Sequence, residues 1–154
     1  PTHTFVVVIC SLLISAGIGS ALSKRFATLV RGRMVFIFGT IIVLGIIFTL
    51  FYESFFYAAL GMSLSLRILV ATALIVPMGF FMGMPFPLGI LGLSGKNDRA
   101  IPWAWAINGF FTVVGGLLAI LISIVTDFSV VLYCALIIYG VALVVSRPYT
   151  MIAK

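Results

Sequence analysis

The side chains able to do chemistry are few and far apart. Three carboxylates, one histidine and two cysteines are spread over 154 residues. Glu53, Asp98 and Asp127 fall in three separate polar segments, with none of the pairing that general acid–base work needs. His3 stands alone near the start of the chain and reads as a surface histidine. Cys10 and Cys134 lie in different apolar runs, with neither metal-site spacing nor a disulfide framework, and read as small packing residues. No nucleophile triad, metal-ligand set or phosphate loop occurs. The glycines at Gly17 and Gly19 follow no strand, so they do not form a dinucleotide fingerprint. The expectation is a chain that catalyses nothing by itself and holds no metal and no cofactor.

The elements that carry these residues are long and apolar. Hydrophobic residues make up 64% of the chain and charged ones 8%, against roughly a quarter charged in soluble domains. Mean hydropathy is +1.37. Several runs approach the ~20 apolar residues that cross a bilayer as a helix. They do not alternate as the strands of a membrane barrel would. The fold class expected is all-α: one polytopic transmembrane bundle over residues 1–154. About five spans are placed at 5–22, 34–52, 66–84, 102–125 and 130–145. The net charge of +6 collects between spans, which reads as membrane topology and not as nucleic-acid binding. Because the chain opens on Pro1 without a basic leader region, it reads as a piece of a longer protein.

Alternate loops are basic. Lys24, Arg25, Arg31 and Arg33 follow the first span, Lys96 and Arg99 the third, Arg147 and Lys154 the fifth. The second loop carries Glu53, with Arg67 only at its far edge, and the last turn carries Asp127. The positive-inside rule then puts the C-terminus in the cytoplasm and the N-terminus outside. Residues 53–65 are too short to span and read as an aromatic segment in the outer interface. Asp127 reads as the start signal of the fifth helix.

The third span ends in GFFMGMPFPLG. Proline lacks a backbone donor and biases the residue before it away from α geometry. Pro85 and Pro87, flanking Phe86, therefore predict that the third span breaks near its cytoplasmic end. Two readings stay open: a helix stop followed by an interfacial segment, or a shaped loop lining a cavity. Pro77, earlier in the span, predicts a kink. Gly79 and Gly83 form a Gly-xxx-Gly pair suited to close helix approach. Ser11, Ser15 and Gly19 repeat every fourth residue in the first span and read as a second packing stripe.

The fourth span opens on PWAWAINGFF, with Pro102 in its first turn and Trp103 and Trp105 at the headgroup level. Asn97 or Asp98 is a candidate cap. Asn108, Thr112 and Gly116 share one face at a spacing of four. Asn108 is the most polar residue within a span. It serves either as a cross-helix hydrogen bond, worth about 0.6–2 kcal/mol in membranes, or as a ligand contact.

Two motifs together, MGMPFPLG (Met82–Gly89) and IPWAWAING (Ile101–Gly109), joined by a short polar loop, resemble the membrane part of bacterial multi-pass proteins that carry a spermidine-synthase-like domain. The resemblance is strongest over residues 79–120 and extends more loosely to GIGSALSKR in the first span. It implies residence in a bacterial inner membrane and a parent with a Rossmann-like, aminopropyltransferase-like domain. Such enzymes pass an aminopropyl group from decarboxylated S-adenosylmethionine to a diamine. No catalytic residue of that domain has a counterpart here. The loop GSALSKRFATLVRGR also resembles the basic loop of major facilitator transporters, with Ser23 where an acid is usual. The function expected is a non-catalytic membrane portion that anchors or serves the enzymatic domain. The alternatives are part of a transporter for a polyamine-like molecule, and a module for helix packing and assembly. The partners expected are the lipid bilayer, other transmembrane helices of the parent or of a second copy, and a polyamine in the transporter case.

Overall fold

The computed structural model describes residues 2–29, 33–95 and 97–151. The described residues form α1 (Thr2–Leu29), α2 (Arg33–Leu60), α3 (Leu64–Met82), α4 (Pro85–Leu93), a 3-10 turn (Asp98–Ala100), α5 (Ile101–Val125) and α6 (Phe128–Met151). Five stretches are long and apolar enough to cross a membrane, α3 and α4 together making one of them, Leu64–Leu93. The fold is an all-helical bundle with five candidate spans.

Helices outrun the apolar stretches that define them. α2 continues through ESFFYAAL to Leu60, so residues 53–60 prolong the span's helix instead of forming a separate interfacial piece. Glu53 interrupts the apolar run, but nothing in the backbone chemistry stops the helix before Gly61. Likewise α1 runs past Lys24 and Arg25 to Leu29, and α6 begins at Phe128, directly after Asp127. At that junction the Asp127 carbonyl accepts the Val130 amide at 3.1 Å.

Close backbone contact organises one half of the bundle. α1 packs chiefly on α3, and the two run parallel: Ser11 Oγ lies 3.5 Å from Thr72 Oγ1, and further along Gly19 meets Phe80. A Cβ on Gly19 would collide with the Phe80 carbonyl, and one on Gly83 with the Ala16 carbonyl. One on Gly79 would strike Ser15 Oγ and stand 3.1 Å from the Leu12 carbonyl. Ser15 is buried here and Ser23 further along α1, and each donates its hydroxyl proton to its own helix, to the Leu12 and Ser20 carbonyls. The other half is α2 against α6, antiparallel: Phe38 lies by Tyr139, Gly45 by Leu136, and Tyr52 by Ser129.

The interruption between α3 and α4 is narrower than two prolines imply. Gly83 and Met84 both keep right-handed helical angles, φ/ψ −73/−15° and −85/−35°. The ladder tightens as the Met84 amide bonds the Phe81 carbonyl at 3.2 Å, and α4 starts at once with Pro85 in its first turn. Prolines at the start of a helix forfeit donors that would be unsatisfied there anyway. Met84, at the joint, is 0% exposed. It forms the core with Ile37 and Ile41 of α2 and Leu88 of α4, against Phe26, Phe80 and Phe81. Those three rings pack edge to face, with centroids 5.4–6.3 Å apart. Pro77 stays inside α3.

At the other end of the bundle, Arg67 closes α2. Its Nε donates to the Ala59 carbonyl at 3.0 Å, and one terminal nitrogen donates to Leu60 and Met62 at 3.2 and 3.4 Å. The last carbonyls of a helix lack internal partners and carry the negative end of its dipole, so a guanidinium satisfies both needs.

Two outcomes follow for the purified chain in detergent. Gly19→Leu and Gly83→Leu each lose about 1–3 kcal/mol in a denaturant titration, because carbonyls cannot swing aside as side chains do. Gly17→Ala, whose Cβ meets nothing within 4 Å, stays within about 0.5 kcal/mol of wild type. Equal losses at Gly17 and Gly19 would remove the close contact as the cause. Arg67→Ala loses about 1–2 kcal/mol and Arg67→Lys recovers part of it; unchanged stability in Arg67→Ala would show that water caps α2 as well.

Candidate functional site

α5 differs from the other spans. It has no buried residue along its 25 positions. Its main neighbours are α6, the 3-10 turn and α4. Where α4 approaches, the Phe86 ring meets Trp105 edge-on with centroids 4.8 Å apart. Such a pair is worth about 0.5–1.5 kcal/mol beyond its area, and it joins α4 to α5.

Beside the clasp lies an open groove of about 370 Å³ lined by Pro85, Phe86, Gly89, Ile90, Leu93 and Ala104. None of its lining side chains titrates or carries a hydrogen-bonding group. A second cavity, of about 30 Å³, lies among Ile41, Gly45, Met78, Leu136 and Tyr139 and has room for a single water at most. The groove can therefore hold something apolar. It offers no acid, base or nucleophile, and the described residues hold no group of three or more potential metal ligands.

The residues singled out from the sequence separate into three places. Pro85 and Phe86 line the groove; Pro87, half-buried, does not. Asn108, Thr112 and Gly116 lie on the exposed surface of α5, outside the groove. Thr112 Oγ1 donates to the Asn108 backbone carbonyl at 2.7 Å, an ordinary bond within the helix. The Asn108 amide has no hydrogen-bond partner among the described residues, and Cβ atoms on Gly109 and Gly116 would meet open space. Ser11, Ser15, Gly19, Gly79 and Gly83 all lie at the α1–α3 contact, Gly79 against Ser15, Gly19 against Phe80, Gly83 against Ala16 and Ser11 beside Thr72.

The loop into α5 is held by Asp98. Its Oδ1 accepts the Gly95 amide at 2.8 Å, while Gly95 takes φ +76°, a value suited to glycine. Asp98 thus closes a turn and does not cap α5, whose first residue follows the 3-10 turn. Lys96, Arg31, Arg147 and Lys154 have side chains outside those described, as does His3. Sequence reasoning missed Ile90, Leu93 and Ala104 as lining residues. They are ordinary apolar positions, and only the angle between α4 and α5 makes them a groove. Arg67, noted in the sequence only as the charge at the far edge of the second loop, was given no structural role there. Its place one turn after the Gly-Met-Ser link to α2 was the available signal.

The fold defines a class, a multi-pass helical membrane protein. Comparison with known proteins takes it no further: no family model, no curated protein and no solved structure matches the chain.

Proposed function

We propose that the chain is the membrane-embedded, non-catalytic part of a spermidine-synthase-like membrane protein, serving as anchor and assembly platform for an aminopropyltransferase-like domain. The observation that carries the reading is α5, a full-length span with no buried residue. A helix so sparsely packed, with Asn108 and small residues on its open surface, fits a bundle that other helices of a parent protein or a second copy complete. The motifs around PFPLG and PWAWAING supply the link to the spermidine-synthase-like proteins. A conduit for a polyamine has less support. Replacing the water of a polycation calls for carboxylates or an aromatic cage. The spans carry no Asp or Glu between residues 54 and 97, and the groove is apolar.

In this reading the protein sits in a bacterial inner membrane. The end that carries Lys24, Arg25 and Arg99 faces the cytoplasm, and the end that carries Glu53 and Asp127 faces out.

Two experiments test it. With Cys10 and Cys134 replaced by serine, Ser63→Cys reacts with a membrane-impermeant maleimide in intact cells and Asn97→Cys only after permeabilisation. The reverse pattern would invert the topology. In phosphatidylcholine nanodiscs the chain shows no saturable binding of spermidine or putrescine. Saturable binding that Asn108→Leu removes would replace the anchor with a substrate site.

A further inference from the structure

We propose that the groove between α4 and α5 is a binding site for an anionic phospholipid, one acyl chain lying along α4 and the phosphate meeting Arg99. The shape fits a chain and little else. Lining residues run from Pro85 to Leu93, about 12 Å of helix axis, and the volume of about 370 Å³ is open on one side and purely apolar. A whole helix, about 10 Å across, is too wide for it. An alkyl chain meets such walls with no unsatisfied polar group.

The headgroup end is marked by three independent features. Leu93 is the last residue of α4, so the groove opens at the loop into α5. Arg99 stands in that loop, five residues before the lining residue Ala104 and thus about 8 Å from it along the axis, a gap that a snorkelling arginine stem covers. Arg99 is exposed and has no hydrogen bond or ion pair to any described residue, while neighbouring Asp98 is engaged with the Gly95 amide. Trp103, 70% exposed, stands in the first turn of α5, directly after that loop, and indoles settle at the headgroup level. A cation in the loop next to an apolar trough matches the adjacency of phosphate and acyl chain in a phospholipid. Basic pockets between helices select anionic headgroups, at about a five-fold gain in binding per cation.

The test is native mass spectrometry of the delipidated 154-residue chain, titrated with phosphatidylglycerol or phosphatidylcholine of identical acyl chains. The expected result is one tightly held lipid, with phosphatidylglycerol preferred about five-fold. Arg99→Gln brings the two lipids to near parity. Gly89→Leu, whose added side chain enters open space, lowers retention of both lipids, and Ala104→Leu does the same from the opposite wall. Circular dichroism verifies helicity in each variant, and Arg99→Gln, a surface change, decides the matter alone if the groove variants misfold. Equal affinity for both lipids in the wild type would overturn the proposal. So would a preference that survives Arg99→Gln, retention unchanged by a filled groove, or displacement of the lipid by free glycerol phosphate at comparable concentration. None of these outcomes depends on whether the parent protein handles polyamines.

Discussion

Backbone meets backbone where α1 crosses α3, and the rest of the bundle depends on that approach. In lipid, helices gain nothing by hiding apolar surface from one another, because acyl chains are as apolar as leucine. What holds helices together there is close contact. Gly19 against the Phe80 carbonyl and Gly83 against the Ala16 carbonyl leave no room for a side chain. The two buried serines of α1 solve a polar problem without a partner helix, by bonding to their own preceding turn. The interface therefore stays apolar in effect while its residues remain small.

The joint at Gly83–Met84 extends the same logic. A glycine at the point of closest approach lets α3 lean on α1, and the residue after it is the most buried side chain in the described structure. Met84 reaches Ile37 and Ile41 and so ties the α1–α3 pair to α2. A flexible thioether is well suited to filling a space where three helices meet at unequal angles. The prolines then follow in the first turn of α4, where a missing donor costs least. The break is thus a place where packing is strongest, and its consequence is the direction given to α4, which creates the groove facing α5.

Charge works only at the ends. Arg67 is spent on the carbonyls that terminate α2, and Asp98 on the amide of Gly95 in the turn before α5. Both satisfy backbone groups that would otherwise need water near the membrane surface. Arg99 has no such structural task. That contrast separates it from Arg67 and Asp98.

The sequence alone determined the class, the number of spans and the interruption at MPFPLG, because apolar runs of bilayer length and paired prolines act locally, through solvation and through a missing donor. The small residues of α1 and α3 were legible as packing stripes for the same reason: spacing by four is a property of one helix. Which stripe meets which was not legible, and neither was the length of α2 beyond Glu53, where the helix outruns the apolar run. The groove was hidden as well, since Ile90, Leu93 and Ala104 have nothing in common until α4 leans toward α5. Tertiary structure decided these points because they depend on the distance between elements. In a membrane that distance is set by steric fit between surfaces, and no single helix carries the record of its partner's shape.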